Sequence, residues 1–131
     1  MAMLSWSMTV QIADNAAIPI SRSPVDAEAV DRIDVVIAPG DKNKVVNLQP
    51  GTTSSIYLLA INSSGYGAYL SFIASDGAKD SATPVTLDSP QVFSGGSLAL
   101  FGVDVRQLKF TNTSPDKPAS VKIIVARDAT P

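Results

Sequence analysis

The apolar residues of this chain fall into many short runs, each closed within a few positions by Gly, Pro, Asn, Asp or Ser, and several runs alternate with period two. No other feature constrains the fold as much. In the first segment Leu4, Trp6, Met8, Val10 and Ile12 alternate with Ser5, Ser7, Thr9 and Gln11. A strand puts each set on its own face, whereas a helix would scatter the apolar set around its circumference. The same alternation places Ile33, Val35 and Ile37 on one face of 32–38, and Val46 and Leu48 on one face of 45–49. It also sets Leu108 and Phe110 against Lys109 in 105–110, and points Val121, Ile123 and Val125 inward in 120–126. Pro39-Gly40-Asp41 reads as a turn, and Pro50-Gly51 fits the centre of a type II turn.

Two segments, 55–62 and 68–74, are apolar on both faces. The Asn62-Ser63-Ser64-Gly65 turn between them predicts a hairpin. A strand apolar on both faces needs a covering layer. With almost no helical pattern in the chain, that cover is expected from another subunit. Val85 with Leu87, Val92-Phe93 and Leu98–Phe101 add short strands, the last after a turn at Ser94-Gly95-Gly96-Ser97. The sum is an all-β chain of about eight or nine short antiparallel strands, a β-sandwich of Greek-key or jelly-roll type.

At 131 residues, 1–131 is expected to be a single domain. Only the segment 14–29 interrupts the rhythm. Ile18-Pro19-Ile20 and Ser23-Pro24-Val25 read as extended chain, and Ser23 with Pro24 suits the start of a short helical turn. At about 16 residues this stretch is longer than most loops in compact domains. It is expected to be a long connection between sheets, or an arm laid over a neighbour.

The chemistry is constrained by what is missing. The chain has no His and no Cys. It therefore lacks the side chain that titrates near neutrality and any thiolate nucleophile. Its 12 carboxylates are almost all Asp, and Asp14, Asp41, Asp76, Asp80, Asp88 and Asp116 sit in predicted turns, where Asp bonds its own backbone. Asp31 and Asp34 are close in sequence, but a spacing of three suits neither one strand face nor a pair facing across a cleft. Asp76-Gly77-Ala78-Lys79-Asp80 departs from calcium-loop spacing and reads as a solvated loop. The Asn62-Ser63-Ser64 and Asn112-Thr113-Ser114 triplets match the glycosylation acceptor pattern by coincidence. No enzyme activity, cofactor or metal is expected.

The ten basic residues are scattered and the net charge is −2, which offers no footprint for nucleic acid. No apolar run approaches the ~20 residues that span a bilayer. The N-terminal residues lack the charged and apolar regions of a secretory signal, and the lack of Cys fits synthesis in a cytosol. Charged residues make up 17% of the chain, below the ~25% of an ordinary domain. Part of the surface is thus expected to be covered by a partner, or to use Ser, Thr and Asn in place of charge. Among the aromatics, Trp6 and Tyr57 lie in apolar strand patterns that suit a core. Tyr66, between Gly65 and Gly67, is expected to be exposed, a position that more often marks a protein contact than a glycan platform.

Leu48-Gln49-Pro50-Gly51-Thr52 leading into Ile56-Tyr57-Leu58-Leu59-Ala60-Ile61-Asn62 resembles small virion proteins of tailed bacteriophages. So does the ending, Leu108-Lys109-Phe110-Thr111-Asn112-Thr113-Ser114 followed by Val121-Lys122-Ile123-Ile124-Val125-Ala126. The resemblance spans roughly residues 45–128 and is to capsid decoration (cement) proteins. It implies a sandwich on the capsid exterior, made in the host cytoplasm, often trimeric, and clamping neighbouring major capsid protein subunits. The expected contact residues are Trp6, Ile18, Ile20 and Tyr66. A carbohydrate- or receptor-binding module of a phage fibre or an enzyme is the alternative.

Overall fold

The computed structural model describes residues 2–10, 13, 18–27, 29–48 and 56–128. Among them are ten strands: β1 (Ala2–Val10), β2 (Ile18–Ala27), β3 (Ala29–Ile37), β4 (Lys44–Asn47), β5 (Ile56–Ser63), β6 (Leu70–Ser75), β7 (Val85–Thr86), β8 (Gln91–Ser94), β9 (Gln107–Asn112) and β10 (Ala119–Arg127). A 3₁₀ helix, Gly95–Phe101, joins β8 to β9.

Strands β3 to β10 form two four-stranded sheets, in the orders β3-β10-β5-β8 and β4-β9-β6-β7. The order has a simple origin. The first of these eight strands pairs with the last (β3 with β10), the second with the seventh (β4 with β9), the third with the sixth (β5 with β8), and the fourth with the fifth (β6 with β7). That is one long antiparallel ribbon folded at its middle. Rolling the ribbon brings β5 beside β10 and β6 beside β9, which completes both sheets. The result is a jelly roll.

The alternation read in the sequence sets the core. Ile37, Leu48, Leu59, Ile61, Leu108, Phe110, Val121, Ile123 and Val125 are buried between the sheets. Phe72 sits at the centre, its ring 5.6 Å from Phe110 and 6.3 Å from Phe101. Strands β1 and β2 stand apart as an antiparallel hairpin pairing Leu4 with Val25, Trp6 with Arg22 and Met8 with Ile20.

Four expectations are corrected. The described residues form ten strands, close to the eight or nine expected; the added strand is β2, so the stretch expected to be a long connection or arm is partly strand. No helical turn forms at Ser23. Both strands of a two-stranded ribbon are edges, which tolerate proline. Pro19 lies opposite Thr9, and Pro24 falls where the register shifts between Leu4 and Trp6, so Ser5 faces two residues, Ser23 and Pro24.

Strands β5 and β6 are not a hairpin, because they belong to different sheets. Residues 64–69 carry the chain across the sandwich, packed so closely on Tyr69 that a Cβ on Gly65 or Gly67 would lie 2.7 Å from its ring or hydroxyl. Leu98–Phe101 is the end of the 3₁₀ helix rather than a strand. With three residues per turn, Leu98 and Phe101 share its buried side, and Leu100 is 85% exposed. Glycines with positive φ, Gly95 at +55° and Gly102 at +74°, stand at its two ends. The turn expected at Pro50-Gly51 lies outside the described residues.

Candidate functional site

The side of the β3-β10-β5-β8 sheet that faces away from the core carries Val30, Arg32, Asp34 and Val36 on β3, Lys122, Ile124 and Ala126 on β10, Leu58 and Ala60 on β5, and Val92 on β8. All are out of phase with the inward residues of the same strands. Part of this face is covered by the chain itself. Trp6 and Tyr57 pack with Ala27, Leu58 and Ala126 in a small apolar cluster separate from the main core. The second apolar face of β5, expected to meet another subunit, is thus partly met by the chain's own hairpin.

The cover is incomplete. Between the hairpin and the sheet runs a groove of about 350 Å³, lined by Trp6, Met8, Leu58, Ala60, Val92 and Ile124 on its apolar surfaces, with Val30, Arg32, Ser5 and Ser7 at its sides. Its volume falls in the range of small-ligand and side-chain pockets. Met8 and Ile20, directly opposite in the hairpin, are both about 40% exposed. A second, smaller hollow of about 280 Å³ lies beside the protruding Leu100, against Val85, Phe93 and Phe101.

The expected contact residues separate on this geometry. Trp6 is half-buried and lines the groove, and Ile20 lies in the same hairpin with its side chain exposed. Ile18 pairs with Val10, but its side chain lies outside the described residues. Tyr66 is at the other end of β5 and is not exposed. It is half-buried against the main core, and its hydroxyl donates to Asn62 Oδ1 and accepts from the Ser63 backbone N–H at 3.0 Å. The bonds of its hydroxyl back to Asn62 and Ser63, which local glycine content does not reveal, hold it there. The groove residues Met8, Val30, Arg32, Leu58, Ala60, Val92 and Ile124 were not singled out from sequence. Their signal was the outward phase of each strand.

Several acidic residues are used structurally. Asp31 and Asp34 sit on opposite faces of β3, and Asp31 pairs with Arg127 at 3.3 Å. Asp76 Oδ1 accepts the backbone N–H groups of Lys79 at 2.6 Å and Ala78 at 2.8 Å, and these bonds hold its carboxyl below the ordinary value. Asp80 is likewise lowered, first by its bond with Lys109 Nζ at 2.9 Å and then by Ser75. Among the described residues no three acidic side chains gather as metal ligands do. Asn112, in one of the glycosylation-like triplets, is buried, and its amide nitrogen donates to the carbonyls of Ile37 and Lys117.

Compared with protein-family models, with curated proteins and with solved structures, the chain finds no match.

Proposed function

We propose that this chain is a structural protein of a bacteriophage virion, a capsid decoration protein that binds major capsid protein subunits on the outside of the head and bridges them. The observation that carries the reading is the partly covered apolar face of the β3-β10-β5-β8 sheet. Its groove opens beside Met8, Val30 and Val92, all about 40% exposed. Such a surface suits adhesion. An apolar side chain or extended segment of a capsid subunit entering the groove would gain roughly 25 cal/mol per Å² of apolar surface buried, less the cost of immobilisation.

Jelly rolls serve viral capsids and lectins alike, so the fold by itself does not choose between assembly and sugar binding. One observation favours the second reading, a carbohydrate- or receptor-binding module: Trp6 lines an open groove together with Arg32 and two serines. The two readings separate in one experiment. Purified protein is mixed with phage heads lacking decoration and sedimented, and the same protein is applied to a glycan array. Co-sedimentation that is lost in Ala60→Arg, which fills the groove, supports decoration. A glycan signal that vanishes in Trp6→Ala, without head binding, overturns it.

A further inference from the structure

Among the described residues, strand β3 has β10 on one side and no strand on the other. Such an edge presents a row of unpaired N–H and C=O groups to any strand that can match it. Which groups face outward follows from the ladder. Ser120 accepts the Ser64 N–H through its carbonyl at 2.9 Å, so the backbone groups of Ser120 point toward β5. Those of its neighbour Val121 therefore point the other way, toward Val35 of β3. By alternation, Val30, Arg32, Asp34 and Val36 direct their backbone groups away from β10, to the open edge. Their side chains all stand on the outer face and are exposed.

These four residues read apolar, positive, negative, apolar. In antiparallel pairing with a second copy about Ile33, Arg32 meets Asp34 of the second copy and Asp34 meets its Arg32. Val30 likewise meets Val36, and Val36 meets Val30. All four are then hydrogen-bonded pairs, and the odd-numbered residues between them form the non-bonded pairs of a regular ladder. Odd-numbered shifts would set inward side chains against outward ones. Shifting the register by two in either direction sets Arg32 on Arg32 or Asp34 on Asp34. Only the register centred on Ile33 satisfies both charge and pleat.

Neither charge is committed to an ion pair among the described residues. The ion pairs among the described residues are Lys44–Asp41, Lys109–Asp80 and Arg127–Asp31, which leave out Arg32 and Asp34. Asp34 lies opposite Lys122 in the ladder without forming an ion pair with it. One guard is present: Lys44 Nζ donates to the Val36 carbonyl at 2.8 Å. It is a long exposed side chain that must swing aside when the edge pairs, as edge lysines elsewhere discourage promiscuous pairing.

We propose that the open edge of β3 is a self-association surface, on which β3 of a second copy pairs antiparallel across a two-fold axis at Ile33. The two sheets join into one of eight strands, with both hairpins on the same side. The contact is two-fold, so it gives a dimer where the resemblance implies a trimer. It stands on the sheet edge alone and does not depend on what the groove binds.

The test is the mass of the full-length protein by light scattering after size exclusion, across a concentration series, for four proteins: wild type, Arg32→Asp, Asp34→Arg and the double exchange. Both positions are exposed, and far-ultraviolet circular dichroism confirms folding. Wild type is expected to dimerise. Each single variant puts like charges together at two symmetry-related places and weakens dimerisation by on the order of tenfold or more. The double exchange rebuilds the complementary pairs and restores it. A wild type that stays monomeric at every concentration overturns the proposal. So does a dimer indifferent to the single changes, or one that the double exchange fails to rescue.

Discussion

The side-chain amide of Asn112 donates to the backbone carbonyl of Ile37 at 3.1 Å, tying the end of β9 to the end of β3 across 75 residues of sequence. The same nitrogen donates to the Lys117 carbonyl at 2.7 Å, and Asn112 Oδ1 accepts the Ser114 N–H at 2.9 Å. One buried amide therefore organises the 112–118 loop and joins the two sheets at one end of the sandwich.

Asn112→Leu keeps the volume and removes all three bonds. Two carbonyls and one N–H at a buried site lose their partner, each at a cost of roughly 1 kcal/mol or more. The expected loss is about 3 kcal/mol in chemical denaturation with the slope unchanged. A loss below about 1 kcal/mol would mean that the loop is held by other contacts.

The alternating strands were legible because an inward residue at every second position leaves a local trace. Ile33, Val35 and Ile37 share a face as expected, as do Val121, Ile123 and Val125. What could not be read was which strand pairs with which. The Asn62–Gly65 turn looks like a hairpin loop, yet whether it returns within a sheet or crosses between sheets depends on Tyr69 packing against Gly65 and Gly67. Strand β2 was hidden by Pro19 and Pro24, which argue against a central strand and are neutral in a two-stranded ribbon. The groove was half legible: the two-faced apolar pattern of β5 asked for cover, but nothing local identified Trp6 as the residue that supplies it.

Leu98 and Leu100 distinguish a 3₁₀ helix from a strand. A strand would put both on one face, whereas here Leu98 is fully buried and Leu100 projects into solvent. Leu98→Ala is expected to cost about 3 kcal/mol, and Leu100→Ala less than about 0.5 kcal/mol. Equal losses in thermal or urea unfolding would require the strand.

The Asp80–Lys109 pair links stability to acid. The carboxyl of Asp80 is held below its ordinary value of 3.8 by Lys109 and Ser75. A group lowered in the folded state stabilises it above the unfolded value, and the gain is lost as pH falls through the folded value. The urea midpoint of Lys109→Met should therefore trail that of wild type at neutral pH. The gap should narrow on acidification below about pH 4 and shrink in high salt, because the pair is near the surface. A gap independent of pH would assign the effect of Lys109 to packing of its stem.

Trp6 is the only tryptophan in the chain, so its fluorescence reports on the hairpin alone. It packs with Leu58 and Ala126 beside the groove, and Ile124 lines the same groove from β10. Ile124 faces outward, away from the main core, so Ile124→Lys should leave the jelly roll intact while placing a charge under the hairpin. Wild-type emission is expected to be blue-shifted relative to free indole and partly shielded from acrylamide. In Ile124→Lys it should move to the red and quench more readily, with the main unfolding transition shifted by less than about 1 kcal/mol. If emission is unchanged and the main transition collapses instead, then the outer face of β10 supports the core directly and the hairpin is not a separable cover. That outcome would also remove the groove from consideration as a docking surface, since its wall would then be part of the body of the fold.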